Sequence, residues 1–479
     1  MAKIGRWSGI NINIVPALDV WSAPIELFID EDRNDSNEYS IDSSTSTITL
    51  PSSELADGYL IVARIKYAST LNNRCNFGGR LNLVSGSGDF NTNPTGGYSR
   101  DTTNNEIYIN TSAIYNNPSS GSQVSFEWIR DSANGTPTGA VAVASIDIIP
   151  LYYSNISMYS DTLIDGTTGS TNSYTGESPN LMSLKNTVVE TTSEIFRSDD
   201  TVTLSGRNKR YLIMSGYYSE GRNGRTQRWL ANSYNGTVAR SAMGYMYFRN
   251  STCGYMGTTL IDIIEVTDTD VTVELNLWRG DGTDPTSLGG AQVDGGIPTY
   301  TDTRLTIIEL TDSTEILKSE NVNNQTICVV GSINDVSLVD TNLINDSNSF
   351  SPTVSSVSRY DIKSSMDAFV GANISAAYPA SSGTRNTGQA FLEIDDATDV
   401  KLFHGNFARG AQGNQNCFGY SANPFGFAAL QENQTMGFVS NGVGSSGVIQ
   451  TNPGWAGMYG FNLDTMQETI STMKFYIIS

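Results

Sequence analysis

The sequence predicts an all-β protein of three tandem antiparallel β-sandwich domains. Three observations carry this. A set of landmarks recurs along the 479 residues. Runs rich in Val, Ile, Tyr, Phe and Thr alternate with Gly/Asn/Asp/Ser clusters. Long helical periodicity is nearly absent, and a chain of this length needs more than one core.

The first landmark is "TITLPSSELADGYLIVARIKY", from Thr47 to Tyr67, which returns as "TVTLSGRNKRYLIMSGYY" from Thr201 to Tyr218. Thr-(Ile/Val)-Thr-Leu reads as one strand, with Ile48 and Leu50 facing a core. A polar turn follows, and Tyr-Leu-Ile opens the next strand. Anchored on Tyr59 and Tyr211, an aromatic-x-Arg element follows after 39 residues (Tyr98 to Arg100) and after 36 residues (Tyr247 to Arg249). From these arginines, Trp128 lies 28 residues on and Trp278 lies 29 residues on. Each Trp ends an alternating strand, and each unit closes on an aliphatic strand, "ASIDIIPL" and "RLTIIEL". A degenerate third copy takes Phe369 as anchor, with Phe407 to Arg409 coming 38 residues later and Trp455 a further 46 residues after Arg409. It closes on "MKFYIIS". The expected organisation is an N-terminal docking arm (1–20) and domains 21–152, 153–314 and 315–479. The best helix candidate is "SLKNTVVETTSEIF", Ser183 to Phe196, which also reads as a connector.

These landmarks together resemble the C1q/TNF-like jelly-roll domain found in tandem in virion structural proteins of tailed phages, marine ones in particular. The early Tyr-Leu-(Ile/Val) strand, the aromatic-x-Arg, the strand ending in Trp and the terminal "LTIIEL" carry the resemblance. It implies jelly-roll sandwiches that assemble around a three-fold axis without catalysis. It also implies capsid decoration or head-fibre duty on the virion surface, after folding in the host cytoplasm. The partners would be other capsid or tail proteins, as a homotrimer or as an intrachain pseudo-trimer. A tail fibre recognising host surface glycan is the alternative, and a polysaccharide depolymerase comes third. Tyr59, Arg100, Trp128, Tyr211, Arg249, Trp278, Phe369 and Arg409 are the expected assembly and packing residues. Trp229 and Trp455, in loop-like segments, are the candidates for stacking on a glycan.

Composition narrows the chemistry. The chain carries 28 basic and 49 acidic side chains, a formal charge of -21. Such a surface repels phosphate and argues against nucleic acid as partner. The one basic run, "GRNKR" (Gly206 to Arg210), reads as a charged turn. No apolar run long enough to cross a bilayer occurs, so no membrane insertion is expected. "MAKIGRWSGININIVP" has no apolar signal region. Cys75, Cys253, Cys328 and Cys417 are widely spaced and read as reduced, buried thiols.

The only histidine is His404. A triad or a zinc site would have to use it, with no nucleophile elbow and no ligand spacing in support, so it reads as structural. No phosphate-cradling loop is present. In "DEDRNDSNE" (Asp30 to Glu38), Asp30, Asp32 and Asn34 alternate as calcium-loop donors do. Asp35 and Ile41 replace the glycine and glutamate such a loop needs, so a solvated hairpin is favoured; "EIDDATD" (Glu393 to Asp399) reads likewise. No enzyme, no cofactor and no metal are expected.

Overall fold

The computed structural model describes residues 4–34, 38–52, 56–69, 75–99, 106–130, 139–153, 155–161, 179–220, 226–248, 255–279, 300–310, 314–321, 326–329, 334–335, 344–345, 350–353, 356–379, 385–395, 402–409, 417–444, 448–450, 454–462 and 476–478. Among the described residues every regular element is a strand.

The first sandwich comprises β1 (Gly5–Ile12), β2 (Asp30–Asn34), β3 (Ser40–Asp42), β4 (Thr47–Thr49), β5 (Gly58–Ser69), β6 (Cys75–Ser85), β7 (Asp89–Asn93), β8 (Thr95–Ser99), β9 (Glu106–Asn116), β10 (Gln123–Arg130) and β11 (Gly139–Leu151). The second comprises β12 (Ile156–Ser160), β13 (Asn180–Leu181), β14 (Asn186–Glu190), β15 (Ile195–Ser198), β16 (Thr201–Leu204), β17 (Lys209–Glu220), β18 (Thr226–Tyr234), β19 (Thr237–Phe248), β20 (Tyr255–Val266), β21 (Val271–Arg279) and β22 (Tyr300–Leu310). The third comprises β23 (Thr314–Asn321), β24 (Thr326–Val329), β25 (Asn334–Asp335), β26 (Ile344–Asn345), β27 (Phe350–Thr353), β28 (Ser356–Ile362), β29 (Met366–Pro379), β30 (Arg385–Ile394), β31 (Phe403–Arg409), β32 (Cys417–Ala422), β33 (Phe425–Leu430), β34 (Thr435–Gly444), β35 (Val448–Gln450), β36 (Gly454–Asn462) and β37 (Tyr476–Ile478).

The three copies share one strand order, to which the first adds the edge strand β7 and the third adds β37 between β23 and β36. One sheet runs β2-β1-β11-β5-β9-β7 in the first copy, β14-β12-β22-β17-β20 in the second and β26-β23-β37-β36-β29-β32 in the third. The facing sheets run β8-β6-β10-β4-β3, β19-β18-β21-β16-β15 and β31-β30-β34-β28-β27. All described ladders between strands are antiparallel except β23 on β37. This order explains the recurring pair that opened the repeat. β4 pairs with β10 while β5 pairs with β11 and β9, so the polar turn between "TITL" and "YLI" crosses from one sheet to the other. β16 and β17 repeat the crossing. Hairpins stay local: Asn235 and Gly236 both have positive φ, 51° and 74°, as the tight turn from β18 to β19 requires.

Each sandwich has its own core. Tyr59, Ile61, Ala63 and Ile65 alternate inward on β5 and pack with Ile48, Leu50, Trp128, Ile146 and Ile148. The residues between them are also buried. Leu60 and Val62 of β5, Ile149 and Leu151 of β11, Leu212 and Met214 of β17, Ile308 and Leu310 of β22, and Phe369, Phe425 and Phe427 of the third copy form one apolar cluster shared by all three sandwiches. Burial on both faces is why "IDIIPL" and "LTIIEL" read as nearly unbroken aliphatic runs rather than as alternating strands.

Four expectations are corrected here. The expected arm, residues 1–20, is not separate where it is described, from residue 4 on: β1 pairs with β11 from Gly5 to Ile12, and Trp7 is buried in the first core. The helix candidate Ser183 to Phe196 holds β14 and the start of β15; β14 is an edge strand with no buried residue, so it shows no period of two. Asp30 to Asn34 is a strand, β2, laddered to β1, not a hairpin loop. In the third copy Trp455 lies on β36, which pairs with β29. That is the position of closing strands β11 and β22, whereas Trp128 and Trp278 sit on β10 and β21, whose counterpart is β34.

Candidate functional site: the seams between the sandwiches

The seams are built from the outward-facing residues of the central strands. Leu60, Leu212 and Phe369 hold matching places, each facing the shared cluster from β5, β17 and β29. Tyr59 and Tyr211 face the interiors of their own sandwiches, so Phe369 aligns with the leucines and not with the tyrosines. Burial pushes the Tyr59 hydroxyl up to about 12.

Four residues beyond these three positions stand Arg64, Gly216 and Asn373, and each meets a neighbouring copy. Arg64 donates from Nε to the Phe425 carbonyl of the third copy at 2.9 Å. At Gly216 an added Cβ would press into the Asn93 side chain of the first copy, so the missing side chain admits that approach. Asn373 donates from Nδ2 to the Ser241 carbonyl of the second copy at 2.7 Å. The contacts run in one rotational sense: first to third, third to second, second to first.

Strand edges close the same ring. β8 of the first copy pairs with β20 of the second at Gly96 and Gly257, which fuses two sheets into one of ten strands. β19 of the second copy packs on β29 and β32 of the third, where Ser421 donates to the Met243 carbonyl at 2.7 Å. β31 of the third packs on β9 of the first, with Tyr108 and Phe403 rings 6.2 Å apart. Tyr98 and Tyr247, the aromatics of the aromatic-x-Arg elements, lie on β8 and β19 with ring centroids 4.9 Å apart. Their partners in the motif, Arg100 and Arg249, lie outside the described residues. Arg409 ends β31 opposite Arg385, its side chain beyond description.

The three seams are chemically distinct. Between the first and third copies, Asp147 stands fully buried among cations. Arg6 is its direct cross-strand partner on β1, and donates to it from Nε at 2.5 Å. Arg64 donates from Nη2 to Oδ2 at 2.9 Å, and the Phe427 amide donates to the same oxygen at 3.1 Å. Burial opposes the Asp147 charge, yet Arg6 and Arg64 hold its carboxyl below the usual carboxylate range. Burial lowers the Arg64 guanidinium to about 10. Arg6 and Arg33 stack on the Phe427 ring at 4.9 and 5.0 Å, and Arg33 pairs with Asp367. Between the first and second copies the place of Asp147 is taken by Thr306, which accepts from Asn91 at 2.7 Å.

The other expected residues fall as follows. Trp128 is buried in the first core. Trp278 is cross-strand partner of Trp229 on β21, its side chain beyond description. Trp229 is 0% exposed and packs on Tyr245 at 5.1 Å, so it has no face to offer a sugar; its segment is a central strand and not a loop. Trp455 is likewise in a strand, and its side chain is not described. His404 is buried, and its Nδ1 accepts from the Asn423 amide at 2.8 Å. Glu393 accepts from Arg359 at 2.5 Å, and residues 396–399 of that acidic stretch lie outside the described residues. The charges of the basic turn are paired: Arg207 with Asp270, Lys209 with Glu194 and Glu309, and Arg210 with Glu265. Cys75 is buried; Cys253 lies outside the described residues. Sequence reading missed Arg6, Arg64 and Asp147. Their signal was a charge set between apolar neighbours in a strand, as Asp147 in "ASIDIIPL" and Arg64 in "YLIVARIKY".

The arrangement defines an all-β protein whose three sandwiches pack through buried, copy-specific seams. No protein-family model matches the chain, and no curated protein does. Among solved structures, the PRD1 vertex protein P5 is similar over 33% of this chain and 97% of its own length, at 12% identity and a TM-score of 0.23. A dimeric latent PorU from Porphyromonas gingivalis is similar over 83% of this chain and 33% of its own length, at 10% identity and a TM-score of 0.16. Likeness this slight transfers no role from either protein.

Proposed function

We propose that the chain is an architectural protein of a tailed-phage virion, displayed on the particle surface as capsid decoration or head fibre, and that it works as an intrachain pseudo-trimer without catalysis. The observation that carries this is the apolar cluster to which all three sandwiches contribute. Faces that a jelly roll of this type would bury against two further chains are here buried against the chain's own other copies. Its partners are then other virion proteins, met through outer surfaces. A charge of -21 keeps densely displayed copies apart in solution.

Immunogold labelling of intact particles with an antibody to this chain tests the reading. Label spread over the head supports decoration or a head fibre. Label on the tail alone moves the assignment to a tail fibre, and particles without label overturn it.

A further inference from the structure

We propose that the cleft between the first and second copies binds a neutral saccharide, one molecule per chain. This goes beyond the architectural reading and does not depend on it. The cleft has a volume of about 550 Å³, within the range of small-ligand sites. Trp21 and Phe90, both half-buried, give it aromatic surface above the buried Tyr218, and Arg80, Asn82, Asp302 and Arg304 give it planar polar groups. Pyranose rings need both: flat apolar surface for C–H faces, and fixed donors and acceptors for hydroxyls.

The polar groups are held in place. Arg80 donates from Nε to Glu127 at 2.8 Å and lies over the Trp21 ring at 4.5 Å. Asn82 donates to the other Glu127 oxygen at 3.1 Å. On the opposite wall Arg304 donates to both Asp302 oxygens, at 2.8 and 3.2 Å, and to Asn91 Oδ1 at 3.2 Å. Trp21 is set by Tyr218 and Tyr255, ring centroids 6.1 and 6.4 Å away. Locked rotamers of this kind lower the ordering cost of binding. Each cation on the walls has a carboxylate partner, so the cleft offers polarity without surplus charge. That favours a polyhydroxylated neutral ligand over an anion.

The second copy's wall differs from the equivalent strand of the first. Counted from the shared aliphatic run, β11 carries Val143 and Ser145 where β22 carries Asp302 and Arg304. The ion pair that forms one wall therefore has no counterpart in the first copy.

The test uses the full chain and five sugars: D-glucose, D-galactose, D-mannose, L-rhamnose and N-acetyl-D-glucosamine, with D-glucuronate as the anionic control. Saturation-transfer NMR identifies contact, and tryptophan fluorescence titration gives affinity and stoichiometry. The expected result is saturable binding of at least one neutral sugar at one site per chain, weakened about tenfold, or about 1.4 kcal/mol, by Trp21→Ala and by Asn82→Leu. Asn82 is half-buried and outside the shared cluster, so its variant keeps the test valid should Trp21→Ala fold poorly. Absence of transfer to all five neutral sugars overturns the proposal. So does binding that survives both substitutions, or a preference for D-glucuronate over D-glucose.

Discussion

Asp147→Ala is the most informative single perturbation of the seams. Both it and Arg64 are 0% exposed. Removing the carboxylate strips Arg6 and Arg64 of their shared anion and leaves the Phe427 amide without this acceptor. Two guanidinium groups then stay inside the first–third seam with carbonyl oxygens as their principal partners. Breaking a buried ion pair from one side costs about 3–5 kcal/mol. A folding unit of one sandwich's size loses about 2–4 °C per kcal/mol, so the expected fall in melting temperature is about 6–20 °C. Scanning calorimetry measures it, and Asp147→Asn, which keeps shape and one acceptor, should fall between parent and Ala variant. The loss should also uncouple the third copy, splitting one endotherm into two. An Asp147→Ala variant that melts within 2 °C of the parent, in about one endotherm, would falsify the claim that this charge holds copies together.

Three further outcomes follow from the same geometry. Phe425→Ala, at a fully buried seam position, should cost about 3–5 kcal/mol in denaturant unfolding, while Phe196→Ala, 40% exposed, should change stability by less than about 0.5 kcal/mol. Burial lowers His404 to about 4, so its proton prefers the unfolded chain. Its contribution is intact above pH 6.5 and is lost as pH falls toward 4, amounting to about 2 kcal/mol by pH 5. Urea melts of His404→Gln across that window should show a flatter pH dependence than the parent, and parallel curves would remove His404 as the cause. Light scattering of the purified chain should give a mass near 51.7 kDa, and a value three times larger would sink the intrachain pseudo-trimer.

The fold was legible where burial and periodicity agreed. Period-two runs gave the strands around Ile48 and Tyr59, and the repeated spacing to Trp128 and Trp278 gave matching strands in two copies. Legibility failed where one signal had two sources. β14 is an edge strand with little to bury, so Val188 and its neighbours carried no clean alternation. β36, "GWAGMYGFN", fills the closing position with small and aromatic residues instead of aliphatic ones, which is why Trp455 was matched to the wrong strand. Phe369 was offset by one residue because both faces of β29 are apolar, and the anchor could not say which face it marked. The seams themselves were beyond reach: Arg64 meets a carbonyl 361 residues away, and no local pattern names that partner.

The shared cluster has a consequence for assembly and for descent. Sandwiches joined by their own chain meet at an effective concentration set by the linkers, about millimolar for short ones, so dilution does not loosen the ring. A substitution also enters one seam at a time, whereas in three identical chains it would enter all three at once. That freedom is visible at Arg64, Gly216 and Asn373, where three equivalent positions have settled on a cation, a hydrogen atom and an amide.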